Sequence, residues 1–402
     1  MSLTLAPDRL SRIGTWVDAY IAERKFAGAS VLIHQGGREV FYHEAGPRDL
    51  ESGAPFARDT VARIYSMTKP ITSMVLMMLV EEGRLHLDAP VSRFLPEFAD
   101  PVALVPNAAH IDDVAPVPVP TLHQLLTHRS GLSYPFNPGL VPSAMEAEDL
   151  LFKPGAHTLA DQCRALARLP LAFVPGARWE YSVGIDVIGR VIEVVTGQSL
   201  GDVFQARILD PLGMTETAFS VPISARHRFA ALYTPLAGDA MALGGGQASD
   251  DPLRLVDTPE GSPFLNATCL SGGGGLVGTI DDYMRFAECL RRGGDGLVSP
   301  STAVFMMSNH LPGDIASLGP SSFAEQPMDG MGFGIGGAVV LDPARSRVPS
   351  SVGDFSWGGM ASTFFWIDRV HDISVVFFTQ LSPSSSYPAR AELKALVHGA
   401  LM

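Results

Sequence analysis

The chain has 402 residues, 46% hydrophobic and 18% charged, a balance that excludes wholesale disorder and, at this length, favours two subdomains over a single core. Its 29 basic against 42 acidic residues give a net charge of −13, so no basic stripe exists to neutralise phosphates and a nucleic-acid partner is excluded. Three cysteines, Cys163, Cys269 and Cys289, are widely separated, lack metal-ligand spacing and read as reduced, mostly buried thiols.

The first residues, MSLTLAPDRLSRIG, lack the basic-then-apolar pattern of a secretory leader. The longest strongly apolar run, Ile71 to Val80, is about half a membrane span. A cytoplasmic protein with no membrane partner is the expectation. The oligomeric state is not legible.

Residues 7–24 carry helical periodicity through Leu10, Ile13, Trp16, Val17, Tyr20 and Ile21. Two strand-like runs, 28–34 and 39–45, flank Gln35-Gly36-Gly37, a hairpin signature. From Ser66 to Glu82 the chain is apolar on nearly all sides, which predicts a helix buried in the centre of the protein, its methionines serving as core filler. Residues 85–120 are proline-rich and read as irregular connections. A helix over 121–132, stopped by Gly131, follows. Further helices are predicted over 158–170 and 184–207. Residues 234–263, rich in Gly, Pro, Ser and Asp, read as a long loop able to line or cover a site. The last third turns to strands, 333–341, 362–367 and 373–380, with 368–372 as the final turn, and a helix over 388–401 ends the chain.

Strands at both ends with helices between them predict an α/β (α+β) architecture. Residues 1–85 and 265–402 would form a discontinuous α/β domain, and 86–264 a mainly helical insertion with long loops. A site in the cleft between them is natural, because ligand pockets favour such boundaries.

The chemistry starts at Ser66-Met67-Thr68-Lys69. Three positions on a helix bring a hydroxyl and an amine onto one face. A helix N-terminus also offers unpaired N–H groups to a developing oxyanion. Serine is a poor nucleophile until a base takes its proton, and lysine serves as that base only with a lowered pKa. Tyr181, in Trp179-Glu180-Tyr181-Ser182, supplies a second hydroxyl. Beside Lys69 its phenolate would be stabilised by the ammonium and could accept the Ser66 proton; the alternative is a core tyrosine bonded to backbone. Trp357-Gly358-Gly359-Met360 stands at the entrance to a strand. Its glycines allow close approach to the backbone and its Met360 N–H could face an oxyanion, the alternative being a plain glycine bulge.

These segments, with Leu125-Leu-Thr-His-Arg-Ser-Gly-Leu132, Pro175-Gly176 and Pro211-Leu-Gly-Met214, occur in an order that resembles the class C β-lactamase and penicillin-binding-protein superfamily. The Trp-Gly-Gly form is similar to the family VIII carboxylesterases. The resemblance spans roughly residues 10 to 400. It implies a β-lactamase/transpeptidase-like fold, with an antiparallel sheet flanked by N- and C-terminal helices and an inserted helical domain. It also implies that Ser66 is the acyl-accepting nucleophile and that Lys69 and Tyr181 share its proton. The Ser66 and Met360 backbone N–H groups would form the oxyanion hole, and Trp357, Gly358 and Gly359 would line the substrate pocket. The His128 segment would be structural.

Two departures bear on substrate. Lactam-cleaving members carry Lys-Thr-Gly where this chain has Trp357-Gly358-Gly359, and Asn where it has Val183. Loss of an ionic contact to a lactam carboxylate costs a few kcal/mol, about two decades or more of specificity. An aromatic in its place favours uncharged, apolar esters. The expectation is a cofactor-free serine carboxylesterase acting on small-molecule, short-chain esters through an acyl-serine. An acyltransferase using the same acyl-enzyme, a weak β-lactamase and a non-catalytic penicillin-binding module stay open as alternatives.

Three other motifs carry less. Gly197-Gln-Ser199-Leu-Gly201 matches Gly-x-Ser-x-Gly, but it follows a helix where a nucleophile elbow needs a strand. Gly332-Phe-Gly334-Ile-Gly-Gly337 precedes a β-rich run instead of opening a helix, so the dinucleotide-binding context fails, and Gly272–Gly275 lacks the Lys-Ser/Thr of a phosphate loop. Among eleven histidines only His123 and His128 lie close in sequence, and five helical positions point them to different faces, so no metal is expected.

Overall fold

Apolar residues alternate along the strand-forming runs at both ends of the chain, and these runs pair with one another. The structure is a computed structural model that describes residues 3–155, 157–238, 247–323 and 326–402. β1 (Ala29–Gln35) and β2 (Arg38–Ala45) close on Gly36 and Gly37, both at positive φ, as the hairpin signature requires. β3 (Met331–Phe333), β4 (Ala338–Val340), β5 (Phe355–Gly358), β6 (Phe364–Asp368) and β7 (Ile373–Thr379) complete a seven-stranded antiparallel sheet of order β3-β4-β5-β6-β7-β1-β2. The C-terminal strand β7 pairs with the N-terminal strand β1, Val31 opposite Phe377.

The period of two sorts side chains between two layers. Val31, Ile33, Val375 and Phe377 pack with α1 (Pro7–Ala22) and α7 (Ala389–His398) through Leu10, Ile13, Val17, Leu393 and Val397. Leu32, Val376 and Phe378 face the other way, into the larger core with Phe286 and Leu290 of α6 (Ile280–Arg291). At the centre of that core lies α2 (Thr68–Glu81). All of its residues from Thr68 to Leu79 are buried, which is what its all-round apolar sequence demands. α2 packs against α5 (Gly184–Thr196), which in turn contacts α3 (Leu122–Leu126) and α4 (Leu159–Leu166).

Several elements are shorter than their patterns suggest. The helix expected over 121–132 is only α3, opened by a Thr121/Gln124 capping box and closed at Thr127, with His128 at φ +55. Gly131 is not its stop: a Cβ there would lie 2.3 Å from the Phe173 carbonyl, so the glycine serves a close backbone crossing. The run 184–207 breaks because Gly197, at φ +71, ends α5, and Ser199 then caps a new turn at Leu200–Phe204. The run 333–341 divides into β3 and β4, since Gly334 and Gly337 fit tightly against the Met306 carbonyl and the Phe355 ring. The predicted loop 234–263 begins and ends in paired strands, Leu232–Thr234 with Arg254–Asp257; its residues 239–246 lie outside the described residues. Within 85–120, Val102–Leu104 pairs with Val114–Pro116.

Candidate active site

Ser66 lies in a single 3₁₀ turn, Tyr65–Met67, that runs directly into α2. Tyr65 is held at φ +42, a region few side-chain-bearing residues occupy. The surroundings enforce it: Ile64 N–H donates to the Leu276 carbonyl, Leu276 N–H to Thr68 Oγ1, and Tyr283 OH to the Met67 carbonyl. One turn on, Lys69 is fully buried. Its ammonium donates to Ser66 Oγ at 3.1 Å, to the Tyr134 hydroxyl at 2.9 Å and to the Gly273 carbonyl at 2.7 Å. Three acceptors match the three protons of an ammonium.

Tyr181 comes from a different part of the chain, and its hydroxyl lies 2.7 Å from Ser66 Oγ. The Asn137 side chain donates to the Tyr181 carbonyl, and the next residue, Ser182, donates its N–H to His128 Nδ1. Burial and the Lys69 charge hold the His128 imidazole well below its ordinary pKa, so it stays neutral and keeps that acceptor. Its ring also packs 4.8 Å from the Tyr181 ring, centroid to centroid. Lys69 Nζ sits 4.7 Å from the Tyr181 ring centroid, so the cation faces the same ring that approaches Ser66.

Two contributors escape sequence reasoning. Tyr134 follows the Leu125–Leu132 motif and carries no helical or strand pattern of its own, yet its hydroxyl accepts from Lys69. Burial pushes its phenol well above the usual range, so it stays protonated. Asp186, on the buried face of α5, accepts from the Gly273 N–H at 2.9 Å and from the Ser271 hydroxyl. Burial raises its carboxyl to about 6, while the Lys69 charge pulls it down. Asp186 therefore fixes the strand of backbone whose Gly273 carbonyl receives Lys69. A Cβ on Gly273 would stand 2.2 Å from Asp186 Oδ2, which accounts for the glycine run as backbone crowding.

Trp357 ends the aromatic wall. Its ring lies 5.3 Å from Tyr181, stacks on Phe323 and meets Phe333 edge-on. Gly359 has a role the sequence reading did not assign: a Cβ there would lie 2.3 Å from the Ile64 carbonyl, so the end of β5 abuts the segment leading into Ser66. Met360 and Ser66 border the same cavity, about 1130 Å³ in volume, with Tyr181, Phe136, Leu151 and Phe152. Val256 and Asp257, from the end of the predicted loop 234–263, also line it.

The discounted motifs lie elsewhere. Ser199 is an exposed helix cap bonded to Asp202. His123 pairs with His310 at 3.0 Å, and His128 faces Tyr181. All three cysteines are buried and free. Among the described residues no helix is long and apolar enough to cross a membrane.

An antiparallel sheet between helical layers, with serine, lysine and tyrosine meeting at the start of a central buried helix, defines a β-lactamase/transpeptidase-like protein. The model of the Beta-lactamase family matches residues 13–399, and the chain belongs to that family. It is 33% identical to Esterase EstB of Burkholderia gladioli, over 92% of this chain and 90% of that protein. It is 31% identical to Lovastatin esterase of Penicillium rubens, covering 89% and 90% of the two chains. Among solved structures it resembles EstCE1, described as a hydrolase with promiscuous acyltransferase activity, with a TM-score of 0.78, 28% identity and 98% of each chain covered.

Proposed function

We propose that the protein is a serine carboxylesterase of the family VIII type, hydrolysing carboxylic esters through an acyl-Ser66 intermediate. The observation that carries this reading is the convergence of Lys69 and Tyr181 on one oxygen, Ser66 Oγ, at 3.1 and 2.7 Å. Ser66 Oγ attacks the ester carbonyl as its proton passes to the Lys69–Tyr181 pair. The pair returns a proton to the leaving alcohol. Water then enters and loses a proton to the same pair as it attacks the acyl carbon, and the pair passes that proton to Ser66 Oγ as the acyl–oxygen bond breaks and the acid is released. The backbone N–H groups of Ser66 and Met360 receive the oxyanion in both tetrahedral steps.

Trp357 supports esters over lactams. A buried indole replaces the cation that would meet a lactam carboxylate, and the aromatic wall favours an uncharged substrate. The similarity to Esterase EstB and Lovastatin esterase supports the same reaction. The absence of a membrane-crossing helix among the described residues fits a cytoplasmic enzyme. The test is turnover of p-nitrophenyl acetate and butyrate beside a chromogenic cephalosporin. Ester cleavage by wild type, its loss in Ser66→Ala and weak cephalosporin turnover are expected. No ester turnover by wild type, or undiminished turnover by Ser66→Ala, overturns the assignment.

The cavity volume favours a second reading, acyl transfer. About 1130 Å³ exceeds what a short acyl group fills, leaving room for an alcohol in place of water. The acyltransferase activity in the description of EstCE1 supports it. Formation of a new ester when an alcohol is added to the reaction would carry the point.

A further inference from the structure

At the end of β6 remote from Gly358, a second cluster of ionisable side chains gathers that the ester chemistry does not use. Gly358 pairs with Phe364, the first residue of β6, and Asp368 is the last, about 13 Å along the strand at its usual rise. Asp368 Oδ2 lies 2.8 Å from His371 Nδ1, in the turn between β6 and β7, and Ser351 Oγ is 2.7 and 3.0 Å from these same two atoms. From the last turn of α7, His398 directs Nε2 into the cluster, 3.7 Å from Asp354 Oδ2. The ligand atoms of Asp368, His371 and His398 all lie within 4.8 Å of one another.

Two features show that this cluster is incomplete as a hydrogen-bond network. The His398 side chain is 8% exposed, and its Nε2 has no hydrogen-bond partner among the described residues. Asp354 is fully buried, with Oδ1 likewise unpartnered, while Oδ2 takes Lys394 at 3.2 Å. Buried polar atoms without partners each cost on the order of 1–3 kcal/mol, more for a charge. One group that satisfies imidazole nitrogen and carboxylate oxygen together is a cation. With neutral imidazoles, the Asp354 and Asp368 carboxylates outweigh the Lys394 ammonium, so the site is anionic before a cation enters.

We infer that Asp368, His371 and His398, backed by Asp354, form a binding site for a zinc-class divalent cation that ties α7 to the β6–β7 turn. Two imidazoles and a carboxylate suit zinc and its neighbours, whereas calcium and magnesium prefer all-oxygen sites. Ligand atoms held about 2.1 Å from one metal stand no more than about 4.2 Å apart, so closing on it moves these side chains by under about 1 Å. The His371 side chain is 21% exposed, which gives the ion an entry path. The two histidines are remote in sequence, so spacing alone could not reveal the site.

The test uses tag-free, chelator-treated full-length protein titrated with Co²⁺ alone, followed by Zn²⁺. One equivalent of Co²⁺ should give the visible band of a four- or five-coordinate ion, and Zn²⁺ should bleach it and raise the melting temperature by several degrees. His371→Ala and His398→Ala should each weaken Co²⁺ binding at least tenfold, whereas His86→Ala, at an exposed histidine outside the cluster, should not. His371 sits at the partly exposed edge, so its alanine variant is the one expected to stay folded, as checked by circular dichroism. Absence of a band in wild type, or a band unchanged in folded His371→Ala, overturns the assignment.

Discussion

The Lys69 ammonium donates to the Tyr134 hydroxyl at 2.9 Å, so the lysine is held by one tyrosine while a second, Tyr181, stands 2.7 Å from Ser66 Oγ. The two phenols are therefore not equivalent. Burial keeps Tyr134 protonated, which suits an acceptor that orients Lys69 and not a base. Tyr181→Phe should lower kcat for a p-nitrophenyl ester by about 10²–10⁴, the range for loss of a general base. Tyr134→Phe should cost only about tenfold, because Lys69 keeps Ser66 Oγ and the Gly273 carbonyl as acceptors. Equal losses in the two variants would contradict this division.

Asp186 makes a pH-dependent contribution to stability whose sign is fixed by burial. Its carboxyl is raised from 3.8 to about 6 in the folded protein, so the folded state binds the proton more tightly than the unfolded state. The stabilising contribution is thus complete below about pH 4 and fades as pH rises through about 6. Asn at this position can still accept from Gly273 N–H and Ser271 but carries no charge. The melting temperature of Asp186→Asn relative to wild type should therefore climb between about pH 4 and about pH 6.5 and level off above it. A difference that is flat or falls over that window would refute the account.

Ser199→Ala separates the two serine motifs. Ser199 is exposed and only caps a short helix, accepting from the Asp202 N–H. Losing an N-cap costs about 1 kcal/mol. Ester turnover at 25 °C should stay within about twofold of wild type, with a small drop in melting temperature. Abolished activity would mean that the wrong serine carries the acyl group.

Legibility in the sequence followed the range of the interactions. Lys69 was readable from Ser66 because one helical turn joins them. The sheet's two faces were readable because Val31, Ile33 and Leu32 alternate, and the pairing of Gly36 with Gly37 announced its turn. Tyr181 was singled out by its motif, but its distance to Ser66 depends on tertiary packing. Tyr134 and Asp186 were not found, since nothing local distinguishes a tyrosine or aspartate that meets Lys69 or Gly273 across the core. Helix lengths failed where a single glycine decided them: Gly197 at φ +71 breaks a run whose apolar pattern continues.

Gly359→Ala tests whether the glycine two residues after Trp357 supports the turn that holds Ser66. The added methyl would lie 2.3 Å from the Ile64 carbonyl and 2.5 Å from Thr363 Oγ1, both in buried surroundings. Neither can yield without shifting β5 or the turn that holds Ser66. Overpacking of this kind costs about 1–3 kcal/mol. The melting temperature should fall, and kcat should drop at least tenfold through displacement of Met360 and Ser66 relative to each other. Wild-type kcat in a destabilised variant would limit the role of Gly359 to folding.

Trp357 both lines the cavity that holds Ser66 and packs against Tyr181. Trp357 is 8% exposed and its ring contacts Tyr181, Phe323 and Phe333, so removing it both enlarges the pocket and loosens Tyr181. Trp357→Phe keeps an aromatic face toward Tyr181 and should hold kcat for p-nitrophenyl butyrate within about threefold. Trp357→Ala should cost about 3–5 kcal/mol of stability, the range for a buried tryptophan truncated to alanine, and lower kcat as well as raising KM. Trp357→Lys is the instructive variant. It restores the type of residue that meets a lactam carboxylate, but it removes the ring beside Tyr181 and places an ammonium among aromatic side chains. Ester turnover should collapse without a compensating gain in cephalosporin hydrolysis. A large gain there would show that the missing cation alone separates the two chemistries.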